Sequence, residues 1–321
     1  MNRIYAVTEY DKCMALWKEL IPVEVVTDIW EVRDCFHRTF NRELFFVVSE
    51  KDGVINGFLP LCYISESSSF GYFPGESWHG KTWLEQNRLI ADSEETLNAM
   101  LSYVISDGRG TFHLRYLNAI STLTMEEDET GYLFTPPAYG FCMDEYYKTF
   151  SGKTAKKIKK EVASFDEKNI ETVIDRYEDF EVLADMNVSR FGHDSYFSDE
   201  RFRGGFRNMM LWLKENGMLR MTSVMIDGRH AAIDMGSIFR NTYTLLAGGT
   251  SADYPGVAKY INTLHMRYSC EQRFSQADFL CGNFSWKSMF HLEPRPLFKV
   301  SNTDESVFEK IAGTVSGVCF A

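Results

Sequence analysis

The stretch TYTLLAGGTSADYPGVAKY, running from Thr242 to Tyr260, decides the fold. Its first six residues are β-branched, aromatic or aliphatic and read as a buried strand, Thr242 to Ala247. Small residues follow, then Pro255-Gly256, and then Val257, Ile261, Leu264 and Tyr268 recur at the spacing of an amphipathic helix. A strand that turns through small residues into a helix exposes the backbone N–H groups of the helix's first turn. Those amides, at the positive end of the helix dipole, can hold a pyrophosphate without many cationic side chains. Gly256, Val257 and Ala258 are therefore the candidate pyrophosphate-binding residues, with an ordinary strand-to-helix connection as the plain alternative.

Working outward, Leu219 to Ile226 and Ala231 to Phe239 flank Asp227-Gly228 and read as a hairpin. Before it come a strand, Ile170 to Ile174, and two helices, Phe180 to Phe191 and Ser198 to Asn216. In the second helix Phe202, Phe206, Met210 and Leu213 point inward. The helix from Gly256 to Gln272 leads to a strand, Ala277 to Leu280. The first half repeats this order. Arg3 to Val7 reads as a strand, and helices begin at Asp11 and after a capping pair, Asp28 with Glu31. Strands Leu44 to Ser49 and Val54 to Ile64 flank Asp52-Gly53, a helix is capped by Asp92 and Glu95, and a strand runs from Thr111 to Tyr116. Two copies of one α/β (α+β) unit, two tandem mixed-sheet units packed side by side, are the expected architecture. Residues 1–143 and 144–321 are the expected domains.

The second chemistry-bearing run is ADFLCGNFSWKSMF, Ala277 to Phe290. Ligands gather where strands of α/β sheets end. Asn283, Trp286 and Lys287 are thus candidate substrate-binding residues, with Lys287 suited to a phosphate or carboxylate. Asp278 and Tyr243 are candidates for orientation or proton handling. Asp234 joins them, because a carboxylate among apolar neighbours needs a partner.

The motifs from Met218 to Phe298 resemble the GNAT acyltransferase superfamily: the Asp-Gly hairpin, Tyr254-Pro-Gly256, and Asp278-Phe-Leu-x-Gly282 followed by Trp286-Lys287. The branch they resemble is the double-GNAT group that holds CelD-like acetyltransferases and Fem-type aminoacyl ligases. The run SGKTAKKIKK, Ser151 to Lys160, is similar to the basic helix start of that group. The resemblance implies a GNAT-like donor unit at 144–321 and a degenerate or acceptor-binding unit at 1–143. It implies an N-acyltransferase that moves an acyl group from acetyl-CoA or another acyl-CoA to an amine on a cell-envelope or polysaccharide precursor. Alternatives are a tRNA-dependent transferase of Fem type and an inactive GNAT-fold binding subunit. Two departures stand out: Phe284 occupies the place of the family's acid, and Tyr254-Pro-Gly256 differs from the usual GNAT glycine loop.

Composition narrows the partners. The 321 residues carry 34 basic and 45 acidic side chains, a formal charge of −11, so nucleic-acid binding in general is disfavoured. The interval Lys148 to Lys160 holds six lysines and no acid; removing those six charges from −11 leaves −17 on the remainder. Lys153 and Lys156 are candidate anion contacts, with a solvated helix face as the alternative. Seven dispersed cysteines without a C-x-x-C pair suit a reduced, cytoplasmic protein. No His/Cys spacing indicates a metal, although His79 and His291 are placed for chemistry. No apolar run approaches the roughly 20 residues of a spanning helix. Phe70, Tyr72, Phe73 and Trp78 are read either as an aromatic acceptor cleft or as packing.

Overall fold

A computed structural model describes residues 2–109, 111–119, 125–166, 168–282 and 284–302. It divides into two compact units, Met1–Thr130 with Pro296–Ala321, and Gly131–Arg295. The sequence reading puts the boundary at 143/144. Residues 131–143 instead go with the second unit because Phe134, Tyr146, Tyr147 and Phe150 bury together in its core. The chain passes into that unit within strand β7 (Glu126–Phe134) and out of it within β13 (Glu293–Ser301).

The first unit comprises β1 (Arg3–Val7), α1 (Tyr10–Leu20), α2 (Trp30–Phe40), β2 (Glu43–Lys51), β3 (Val54–Ile64) and β4 (Ser69–Tyr72), then β5 (Ile90–Ala91), α3 (Glu94–Ser106) and β6 (Thr111–Leu117). Strands β1 to β4 pair antiparallel in order, β6 runs parallel to β4, and Phe298 and Val300 of β13 pair with β6. The β2–β3 turn works because Asp52 and Gly53 both adopt positive φ, the geometry a tight hairpin requires. Phe70, Tyr72 and Phe73 are buried in this unit's own core, so for these three the acceptor-cleft reading gives way to packing.

Two helix caps differ from expectation. Asp28 does not cap α2; its Oδ2 accepts the amides of Glu24 and Val25, and its carboxylate pairs with Arg88. Helix α3 is capped by Ser93, whose hydroxyl accepts the Thr96 amide at 3.1 Å. Asp92 accepts the Thr96 hydroxyl instead, at 2.6 Å.

The second unit comprises α4 (Met143–Tyr147), α5 (Gly152–Asp166), β8 (Ile170–Ile174), α6 (Phe180–Phe191), α7 (Glu200–Glu215), β9 (Leu219–Ile226), β10 (Arg229–Phe239) and β11 (Thr242–Thr250), followed by α8 (Val257–Glu271), β12 (Gln276–Asp278) and α9 (Ser285–Met289). Strands β8 to β11 pair antiparallel in order; β12 runs parallel to β11, and Leu133 and Phe134 of β7 pair with β12. Neighbouring side chains of a strand face opposite sides of a sheet. Thr222 and Asp234 face one side, where α8 lies, and Ser223 faces the other, where Asp179 begins α6. Among the described residues no helix is long and apolar enough to cross a membrane.

Candidate functional site

Strands β11 and β12 pair over only three positions, Thr242 with Gln276, Tyr243 with Ala277, and Thr244 with Asp278. There β12 ends, while β11 runs on to Thr250. Leu245 to Thr250 thus lose their parallel neighbour among the described residues. In the same stretch β11 carries an extra residue against β10, since Gly236 pairs with Leu245 and Met235 with Ala247, leaving Leu246 as a bulge. A strand edge without a neighbour offers backbone N–H and C=O groups to an extended ligand. Asn187 of α6 takes one of these carbonyls, donating from Nδ2 to the oxygen of Gly248 at 2.6 Å, and Ser195 Oγ holds Asn187 Oδ1 at 2.7 Å.

This edge leads into the opening of α8. Gly256 has φ of 91°, a conformation glycine adopts without strain, and both Gly256 and Ala258 are exposed. Val257 is buried and donates its amide to the Tyr254 carbonyl, so the leading turn presents the amides of Gly256 and Ala258, which meet no acceptor among the described residues. No side chain caps α8, and no acid lies in its first turn. Helix α3, which stands at the same place in the first unit's succession, is opposite in both respects, with Ser93 as cap and Glu94 and Glu95 in its first turn. An anion is favoured at the start of α8 and disfavoured at the start of α3.

Of the three residues read as catalytic, Asp234 and Tyr243 come together through a residue the sequence reading missed. His265 of α8 bonds Asp234 Oδ2 through Nε2 at 2.8 Å and meets the Tyr243 hydroxyl at Nδ1, 3.0 Å away. All three are buried, and burial pushes the Tyr243 hydroxyl well above its ordinary pKa. The chain of bonds ties β10, β11 and α8 together inside the core. On the other side, Asp234 Oδ1 lies so close to Gly248 that a Cβ there would collide with it.

Asp278 and Lys287 grip the turn after β12. Asp278 accepts the Leu280 amide at 2.8 Å and Arg295 Nη1 at 2.6 Å. The buried Lys287 ammonium donates to the carbonyls of Phe279, Leu280 and Cys281 at 3.0, 2.9 and 2.8 Å. Trp286 packs edge-on against Phe279 and Phe290. Asn283 lies outside the described residues. Lys153 and Lys156 are exposed on α5. A hollow of about 530 Å³ bounded by Tyr139, Glu145, Lys148 and Thr149 includes none of these residues, and its acid and base pair with each other at 2.6 Å. Among the described residues no three His, Cys, Asp or Glu side chains cluster as metal ligands.

Residues 152–288 match the family model of an acetyltransferase (GNAT) domain. No curated protein matches the chain. Among solved structures it is similar to L-PGS from Bacillus licheniformis, at TM-score 0.55 and 10% identity over 97% of this chain and 98% of that one. FemX gives TM-score 0.55 at 9% identity, covering 96% and 99%. A conserved protein of unknown function from Bacteroides thetaiotaomicron VPI-5482 gives 0.55 at 11% identity, covering 93% and 98%. At these identities the likeness is one of fold. The chain has a mixed α/β fold, and the stretch that matches the GNAT model, residues 152–288, holds the parted strands and the helix start described above.

Proposed function

We propose that the second unit is an N-acyltransferase that binds an acyl-CoA and passes the acyl group to an amine on a cell-envelope or polysaccharide precursor. The observation that carries this reading is the parting of β11 from β12 immediately before an uncapped, acid-free helix start. A pantetheine arm is an extended chain with two amides, suited to the free edge of β11, and the exposed Gly256 and Ala258 amides suit the diphosphate. Backbone N–H groups at the Leu246 bulge are the proposed oxyanion donors. The amine nitrogen attacks the thioester carbonyl, the carbon–sulfur bond breaks, CoA leaves as its thiolate, and the proton lost by the amine passes through water or a base to that sulfur. Alignment of amine and thioester supplies much of the rate.

In this reading the two units are copies of one GNAT-like succession, and the first has lost donor binding through Ser93, Glu94 and Glu95. Asp234, His265 and Tyr243 hold the donor edge in place without touching substrate, and Asp278 and Lys287 shape the turn opposite it.

The test is thermal unfolding of the full chain with acetyl-CoA, longer acyl-CoAs, nucleotide-sugars and tRNA. A ligand that prefers the folded state raises the melting temperature. A CoA-dependent rise that Gly256→Glu abolishes is the expected result. No rise with any CoA compound sinks the reading, and salt-sensitive tRNA binding in its place points to a Fem-type transferase.

A further inference from the structure

Helix α5 carries Lys153, Lys156, Lys157 and Lys160 at intervals of three and four residues, which places them on one stripe of the helix. The opposite stripe carries Ile158, Val162 and Phe165, buried in the second unit's core, with Phe165 stacked on Tyr260 of α8. Packing therefore fixes the lysine stripe toward solvent, and all four lysines are exposed.

The neighbouring acids do not neutralise this stripe. Glu145 pairs with Lys148, Asp144 with Lys159, and Glu161 with Lys259. Lys157 reaches Glu161 only at 3.9 Å. Among the described residues Lys153, Lys156 and Lys160 meet no acid. The row spans about 10 Å along the helix at 1.5 Å per residue. Removing its four charges from −11 leaves −15 on the rest of the chain.

We propose that this face of α5 docks the protein on an anionic lipid bilayer, with headgroup phosphates taken by the lysine row. Lysine is a hydrated point charge that interacts with phosphate without fixed geometry, which suits a fluid array of headgroups. Nucleic-acid recognition would call for aromatic rings to stack bases or arginine forks to read edges, and the stripe holds neither. A straight row on one rigid helix presents its charges to a plane. The proposal stands on this charge pattern and is independent of whether the second unit binds CoA.

The experiment is co-sedimentation of the full chain with phosphatidylcholine vesicles, with and without about 30% phosphatidylglycerol, at low and high salt. Expected is binding only to the anionic vesicles, lost at high salt. Lys153→Glu/Lys156→Glu/Lys160→Glu should lower the partition coefficient by about 100-fold or more. Lys12→Glu/Lys18→Glu/Lys51→Glu, with the same change of net charge elsewhere, should lower it far less. Circular dichroism confirms that both variants fold. No binding to anionic vesicles, equal losses in the two variants, or release of the protein from vesicles by tRNA at equal phosphate concentration would each overturn the proposal.

Discussion

His265 and Asp234 join α8 to β10 across 2.8 Å, with both side chains buried. This bond sets the position of a sheet edge as well as a helix, because the second carboxylate oxygen of Asp234 lies against Gly248. Removing the carboxylate leaves an imidazole donor in the core without an acceptor. Asp234→Ala should cost about 3–5 kcal/mol in urea unfolding. Tyr243→Phe removes one hydrogen bond and keeps the ring, and should cost about 1 kcal/mol. Comparable losses in the two variants would mean that the carboxylate is not the centre of this network.

The sequence offers Lys287 for a substrate anion, yet its ammonium donates to the backbone carbonyls of Phe279, Leu280 and Cys281. Methionine at this position keeps the length of the stem and leaves those carbonyls without a donor. Lys287→Met should therefore lower stability by about 3 kcal/mol or more, at roughly 1–3 kcal/mol per buried unsatisfied group. The measurement is thermal unfolding beside acetyl-CoA affinity, taken well below the melting temperature. An affinity loss with no change in stability would return Lys287 to a substrate role.

Much of this architecture is written in local pattern. Arg3–Val7, Val54–Ile64, Ile170–Ile174, Phe180–Phe191 and Leu219–Ile226 have the same ends in the structure as in the sequence reading, because hydrophobic alternation and Asp-Gly turns are local signals. The caps of α2 and α3 differ from the local pattern because Asp28 answers to Arg88, a partner 60 residues away, and Ser93 lies one step closer to its helix than Asp92. Strands β7 and β13 carry no strand signal in the sequence. Glu126–Phe134 begins with four acidic residues, Glu293–Ser301 contains two prolines, and neither alternates. At the site, Asp234 announced its need for a partner, but nothing local pointed to His265. Ile261, Leu264 and Tyr268 define the helix face in the sequence, and a histidine within it shows its role only once β10 is packed beneath.

Glu76 supplies a prediction in pH. It is buried in the first unit, and burial raises its carboxyl above the ordinary 4.5, opposed by the Thr82 hydroxyl, the Leu84 amide and Arg33. The folded state holds this proton more tightly than the unfolded state. Glu76 therefore contributes its full stability below about pH 4.5, and that contribution is lost as pH rises through the folded-state value. Glu76→Gln keeps an oxygen for the Trp83 and Leu84 amides and has no charge to bury. The stability of the variant relative to the parent should climb as pH increases from 4.5 and then level off. Urea unfolding at a series of pH values checks it, and a difference that falls with pH would contradict the argument.

Gly249 tests the approach of α6 to the free edge of β11. A Cβ at Gly249 would lie 2.6 Å from the carbonyl oxygen of Leu183 and 2.9 Å from Cβ of Met186. The first contact is with helix backbone, which cannot rotate away as a side chain can. Gly249→Ala must therefore push α6 off the strand, at a cost of about 1–3 kcal/mol. Gly53→Ala is the control: its Cβ would meet nothing within 4 Å, and only the positive φ opposes it, for about 1 kcal/mol. Displacing α6 also draws Asn187 away from the Gly248 carbonyl, since both bonds of Asn187 depend on the same helix position. The side-chain amide protons of Asn187 should then exchange faster with solvent in Gly249→Ala and stay unchanged in Gly53→Ala. Unaltered exchange beside a clear loss of stability would show that β11 gives way and α6 holds, reversing the order of rigidity assigned to these two elements.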